Sequence, residues 1–304
     1  MSHYPPIETV FPGARHREVV VSASPGGSAF NSSIAFSPVE GYALLVRDSN
    51  YTVSADHLVY ETLPAENNKI RTVTHFCRLD SELNVFSMDP IYDGNVRHVE
   101  WDMVQGMEDS RLIWCEDGWH RYGTLRENHW SGQCQIGEDW LDKTEAVKRV
   151  VHPGPLGLER TEKNWQRLVG TDRWVYFHGP SQVRLADGSL ETAPWEVKPE
   201  AHNFRGGSPA IPFEDGYVSI VHSVTWEPIQ REYHHFLCRY DHSGFLTHFS
   251  PGFYIYRSGI AFAAGLVEWK DQFVASFGWG DQRCFFAYLP KKAVASCWID
   301  ARAW

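Results

Sequence analysis

The stretch GMEDSRLIWCEDGWHRYGTLRENH, residues 106–129, decides how the chain is read. Two short apolar runs flank Glu116, Asp117 and Gly118, and such a group between strand-like runs is a hairpin turn. The same plan recurs in NSSIAFSPVEGYALLVRD (31–48), EKNWQRLVGTDRWVYFHG (162–179), GGSPAIPFEDGYVSIVHS (206–223) and AFAAGLVEWKDQFVASFG (261–278). Each unit has a polar or small-residue approach, a strand, a turn and an aromatic-rich strand. TVTHFCRLD, HHFLCRYD and RCFFAYLP supply further strands between the units. Five such repeats, each worth up to four strands, predict an all-β fold, a five-bladed β-propeller. An irregular two-sheet β-fold is the alternative. No linker divides residues 1–304, so one domain is expected, with blade motifs from about 31 to 290. One short helix is expected over 140–150, WLDKTEAVKRV.

The bulk composition narrows the function. The chain is 43% hydrophobic and 22% charged, which suits a globular core. Its net charge of -10 argues against nucleic acid or an anionic membrane as partner. No apolar run is long enough to span a bilayer. The first residues, MSHYPPIETVFPGARHREVVV, lack a charged-then-apolar leader pattern, and the six Cys are scattered without a C-x-x-C pair. A cytoplasmic protein with reduced core thiols and no metal is therefore expected. No histidine pair has zinc spacing, and the adjacent His234 and His235 would face opposite sides of a strand.

In a propeller the innermost strands run along the central axis, so their approaches converge at one mouth. Those approaches are polar: Asn31; Glu108, Asp109 and Arg111; Glu162, Lys163 and Asn164; Arg205 and Ser208; Ser258. The ends of the returning strands add Arg47, Arg126, His222 and Asp281. Charges gathered at one axis are costly unless they are paired or used. Each residue also has a plain structural reading: Asp109 with Arg111 as a strand-edge ion pair, Glu162 with Lys163 as a solvated loop pair, His222 as a bonded core histidine, Arg283 as a partner of Asp281.

The GMEDSRL segment resembles the G-x-E-D-x-R signature of the β-mannoside phosphorylase and hydrolase family, whose members are five-bladed propellers. FNSSIAF, LLVRDSNY, EKNW, RGGSPAI, VHS, YHHF, FAAGLV and SFGWGDQR resemble, in order, the motifs of related sugar-active propellers, from about Asn31 to Pro290. Ser110 stands where the family often has Pro. The resemblance implies that Asp109 is the general acid. It implies a sugar site shaped by Asn31, Arg47, Glu108, Arg111, Glu162, Asn164, Arg205, His235 and Asp281. It implies an anion site drawn from Arg126, Lys163, His222 and Arg283. The co-substrate would be inorganic phosphate or a sugar phosphate, with no other cofactor. The partner would be a small-molecule or oligosaccharide substrate, and exposed propeller edges leave room for a homo-oligomer.

Inverting cleavage of a glycosidic bond needs an acid for the leaving oxygen and a nucleophile on the opposite ring face. Water as nucleophile requires a second carboxylate, for which Glu127, Glu162 and Asp281 are candidates. Phosphate requires cations instead. The cation excess around Asp109 favours an inverting, phosphorylase-like, mannoside-related reaction. A nucleotide-sugar glycosyltransferase, a hydrolase and a non-catalytic glycan-binding propeller are the alternatives.

Overall fold

A computed structural model describes residues 4–53, 60–62, 66–155, 157, 160–226 and 231–303. Five antiparallel sheets form the five blades. Blade 1 runs outward through Ser28–Ser37, Gly41–Ser49, Ile70–Leu79 and Val85–Pro90. Blade 2 uses Glu108–Cys115, Gly118–Leu125, Gln135–Asp142 and Glu145–His152. Blade 3 uses Gln166–Arg167, Trp174–His178, Ser181–Arg184 and Leu190–Thr192. In blade 4, Arg205–Gly206 and Ile211–Phe213 share the innermost place beside Gly216–Trp226, followed by Arg231–Tyr240, Leu246–Phe249 and the late strand Ile299–Asp300. Blade 5 consists of Ala261–Trp269, Gln272–Trp279 and Arg283–Pro290, and its outermost strand is Arg15–Val19 from the start of the chain.

The helix expected over 140–150 is absent. Those residues form the end of one strand, a turn at Lys143 and Thr144, and most of the next strand. Trp140 pairs with Lys148 and Leu141 with Ala146 across a register shift. Strand pairing on the flank of the blade overrides the helical propensity of a charged, alanine-containing segment. All six Cys are free thiols, and Cys77, Cys238 and Cys284 are buried.

The blades pack face to face through apolar side chains, for example Ile34, Leu44 and Val46 of blade 1 against Val274, Phe286 and Tyr288 of blade 5. At the axis the inner strands are stitched by polar bonds. The Ser33 hydroxyl donates to Ala264 O at 2.8 Å and accepts from Leu112 N at 3.0 Å, joining three blades. Small residues allow this approach: a Cβ on Gly265 would lie 2.2 Å from Ile34 N.

A bulge repeated in the inner strands aims the polar approaches. In blade 1, Phe30 faces Arg47 and Ser33 faces Leu45, so Asn31 and Ser32 share one opposing residue. In blade 2, Arg111 faces Tyr122 and Glu108 faces Thr124, so Asp109 and Ser110 share Gly123. The first bulge residue is left-handed in both, with φ of 47° at Asn31 and 50° at Asp109. Asn and Asp tolerate this conformation better than other side-chain-bearing residues. Bulges of this kind bend a strand and redirect its side chains.

Candidate functional site

The bulged approaches open into a cavity of about 320 Å³ at one mouth of the axis. Its wall includes seven residues anticipated from sequence: Asn31, Arg47, Glu108, Asp109, Arg126, Lys163 and Asp281. Arg47 is the hub. It is buried, and its guanidinium gives Nη1 to Asp109 Oδ1 at 2.9 Å and Nη2 to Glu108 Oε1 at 2.5 Å. Asn31 Nδ2 donates to the same Asp109 oxygen at 2.8 Å. Blade 1 thus supplies both donors and blade 2 both acids.

Arg111 lies beneath this group and is not on the cavity wall. It is fully buried, and it donates to Asp109 O at 2.9 Å, Gly207 O at 2.9 Å and Asn164 Oδ1 at 3.3 Å. Its contact with Asp109 runs through the backbone carbonyl, so the strand-edge ion pair read from the sequence is replaced by a tie joining blades 2, 3 and 4. Burial raises the Asp109 carboxyl, but the charges of Arg47 and Arg111 and the bonds from Asn31 and Arg47 outweigh it and hold the group below its ordinary value.

Asp281 has the opposite environment. It is buried, with Tyr51 OH donating to its Oδ2 at 3.4 Å. Burial pushes its carboxyl up to about 6, the charge of Asp109 adds to the shift, and Arg47 and Arg231 oppose it. Two carboxyls of one cavity are therefore driven apart, one ionised and one poised near neutrality.

Arg126 and Lys163 form the cationic part of the wall. Arg126 is anchored by its Nε bond to Gly132 O at 2.8 Å and packs over Trp101. Neither residue has a carboxylate partner among the described residues. Cys134, also on the wall, feels the charges of Lys163, Arg126, Glu108 and Asp109, so these groups surround one spot.

Other anticipated residues lie elsewhere. Arg283 is not on the cavity wall: it bonds Glu18 of the closing strand through Nε at 2.7 Å, on the outer side of blade 5. This corrects its assignment to an anion site and to a pair with Asp281. Glu162 is a buried structural acid that accepts from Trp165 Nε1 at 3.0 Å and Tyr176 OH at 2.9 Å. Glu127 is likewise committed, accepting from Gly106 N at 2.9 Å near Arg97 and Arg149. Asn164 serves Arg111, and Arg205 is exposed beside the mouth, with neither on the wall.

His222 and His235 lie in a layer behind the wall. His222 stacks on Tyr233, with ring centroids 5.3 Å apart, and its Nδ1 has no hydrogen-bond partner among the described residues. Burial first, then the charges of His235, Arg205, Arg111 and Lys163, hold it well below its ordinary pKa. It is therefore a neutral imidazole and adds no charge to an anion site. His235 is fully buried and is pushed down to about 3, chiefly by burial.

The sequence reading missed Tyr51, Tyr60, Arg231, Tyr233 and Phe262, all on the wall. Tyr51 and Tyr60 come from a two-stranded ribbon, Tyr51–Val53 with Tyr60–Thr62, outside the regular blades. Arg231 and Tyr233 alternate with His235 on one strand, a period of two that marks them as sharing its face.

No protein-family model matches the chain, and no curated protein matches it in sequence. Solved structures do match in shape. A β-1,2-mannobiose phosphorylase from Listeria innocua, in complex with β-1,2-mannobiose, is 13% identical with a TM-score of 0.61, covering 98% of this chain and 99% of that one. A protein described as a glycoside hydrolase, from Parabacteroides distasonis, is 13% identical with a TM-score of 0.61, covering 93% and 98%. A GDP-mannose-dependent mannosyltransferase from Leishmania mexicana is 10% identical with a TM-score of 0.57, covering 95% and 94%. In fold, this chain is a five-bladed β-propeller of the kind shared by β-mannoside phosphorylases, related glycoside hydrolases and a mannosyltransferase.

Proposed function

We propose that the protein is a glycan-active enzyme that transfers a glycosyl group to or from phosphate, as an inverting phosphorylase acting on a β-mannoside. The carrying observation is the pair Arg126 and Lys163, free of carboxylate partners, on the same cavity wall as Asp109. Phosphate is already anionic and needs cations to hold it rather than a base. A phosphate oxygen bonds to the anomeric carbon, the glycosidic C–O bond breaks, and the Asp109 proton passes to the leaving oxygen. Asp109 is ionised in the free protein, so something must restore its proton. A phosphate dianion held by Arg126 and Lys163 brings negative charge into the cavity, opposes the pull of Arg47 and Arg111 on Asp109, and raises that acid's proton affinity. Glu108, Arg47 and Asn31 fix Asp109 and offer groups to sugar hydroxyls. Tyr51 and Tyr233, kept neutral by burial, add hydroxyl donors, and Phe262 adds an apolar face.

A second reading has its own observation. Asp281 is a second carboxyl in the cavity, and its value near 6 suits a base that activates water. That arrangement would make the enzyme a hydrolase.

The test is incubation with β-1,2-mannobiose, the sugar bound in the Listeria relative. Phosphate-dependent formation of a hexose 1-phosphate supports the phosphorylase. Free mannose formed equally without phosphate favours the hydrolase. Inertness toward mannosides, with turnover of GDP-mannose, favours a transferase. In the phosphorylase case, Arg126→Ala and Lys163→Ala each raise the KM for phosphate at least about tenfold, the loss of one charge-assisted contact. An unchanged phosphate KM in both variants would move the anion site elsewhere.

A further inference from the structure

The opposite end of the hairpin that carries Asp109 holds a second constellation. Its sequence is Cys115, Glu116, Asp117, Gly118, Trp119, His120. Strand register explains why three of these meet. Cys115 faces Gly118 and Ile113 faces His120, so Cys115 and His120 share one face of blade 2. The turn between them carries Asp117. One sulfur, one carboxylate oxygen and one imidazole nitrogen from these residues lie within 4.8 Å of one another. His120 Nε2 is 2.8 Å from Asp117 Oδ1.

Surrounding groups hold His120 and Asp117 by their far atoms. His120 Nδ1 is 3.1 Å from Glu138 Oε1, which directs Nε2 toward Cys115 and Asp117. Asp117 Oδ2 accepts from Trp140 Nε1 at 2.9 Å, which leaves Oδ1 facing His120. Glu138 is held in turn by His152 at 2.9 Å and Arg167 at 3.2 Å. Trp140 faces His120 across the next strand pair, and Glu138 lies two residues before Trp140 on the same face. Imidazole held by a carboxylate on one nitrogen is the usual support of a zinc-bound histidine, and a metal would replace the bond that the other nitrogen, Nε2, now makes with Asp117.

We infer that Cys115, Asp117 and His120 form a binding site for a divalent zinc-class cation, with Glu138 and Trp140 as its supporting shell. A thiolate, an imidazole and a carboxylate select zinc over magnesium or calcium, which take oxygen ligands. Three protein ligands leave a fourth position for water or an outside ligand. The site lies roughly 20 Å from Asp109, six residues along one strand. It is therefore separate from the sugar cavity, and its role is to clamp the turn and brace blade 2 against blade 3. The sequence expectation of no metal rested on the lack of paired Cys or zinc-spaced His. Here the spacing is C-x-D-x-x-H on a hairpin, and the third group is a carboxylate.

A plain ion cluster competes with this assignment. Burial works against a charge on His120, while hydrogen bonds to Cys115 and Glu138 lift it to about 10, so the ring carries a proton when no metal is bound. The metal must displace that proton.

Cobalt distinguishes the two. The full chain, stripped with chelator, is titrated with Co²⁺ and separately with Zn²⁺. The expected result is a near-ultraviolet thiolate-to-cobalt band that saturates at one ion per chain, and a higher Tm with Zn²⁺. Cys115→Ser abolishes the band. Asp117→Asn, at a turn position with a side chain 59% exposed, folds normally and weakens binding at least about tenfold. Cys134→Ser, in the sugar cavity, keeps the band. Absence of the band in wild type, or a band that survives Cys115→Ser, overturns the assignment and leaves the ion cluster.

Discussion

In the proposed phosphorolysis, Asp109→Asn lowers kcat/KM by about a thousandfold and leaves the fold intact. Asn31 and Arg47 both donate to Asp109 Oδ1, and Oδ2 makes no hydrogen bond among the described residues. An asparagine oriented with its oxygen in the Oδ1 position keeps both contacts. Its amide then replaces the oxygen that faces the cavity, and the proton donor is lost. A positioned general acid contributes roughly a hundred- to ten-thousandfold in rate. The structural loss is smaller, about 1–2 kcal/mol, because Arg47 retains Glu108 as its partner. A substrate with a good leaving group tests the role directly. An aryl mannoside needs no protonation to depart, so the variant recovers most of its activity on it. Activity within tenfold of wild type on the natural disaccharide, or an equal deficit on both substrates, would remove Asp109 from the acid role.

Asp281→Asn makes the protein more stable. The Asp281 carboxyl moves from an ordinary 3.8 to about 6 in the fold, mainly through burial. Below pH 3.8 it is protonated in both the folded and the unfolded chain. Between 3.8 and about 6 the unfolded chain ionises while the folded one keeps its proton, so stability falls as pH rises. Above about 6 the full penalty of a buried carboxylate is present, on the order of 3 kcal/mol. Asparagine carries no such penalty. Denaturant unfolding therefore shows a gain of about 3 kcal/mol for the variant at pH 8, shrinking toward zero at pH 4. Parallel stability curves for the two proteins across this range would contradict the assigned environment. In the hydrolase reading, where Asp281 is the base, turnover also falls at least about tenfold, since a carboxylate poised near neutrality is replaced by a group that cannot ionise. Strain and charge kept at a functional site commonly cost stability in this way.

The hairpins were legible because three of their five turns use acid–glycine pairs (Glu40-Gly41, Asp117-Gly118 and Asp215-Gly216) and their strands alternate, both local signals. The approach Glu108–Asp109 was legible for the same reason, since strand polarity alone brings it to the mouth. The 140–150 segment misled because Lys143 supports a left-handed turn, with φ of 55°, that its sequence does not announce. Arg283 misled because its partner, Glu18, is 265 residues away in sequence, on the strand that completes the same blade. Glu162 was misread as a ligand group because Trp165 and Tyr176, which satisfy it, look like ordinary core aromatics. Arg231 and Tyr233 could have been found by extending the alternation back from His235.

The closing strand Arg15–Val19 pairs with Arg283–Pro290, so Arg15 meets Tyr288. Contacts of such long separation make folding slow, because loop closure precedes the reward of contact. During synthesis that strand leaves the ribosome first and waits for almost the whole chain. Until it docks, Arg283–Pro290 is an unpaired edge able to recruit another chain. The axial cavity draws on residues from all five blades, with Lys163 from the approach to blade 3, so its assembly and ring closure are one event. Ligand binding thus acts as a latch on the whole circle: a ligand held at the axis opposes opening of a seam on its rim.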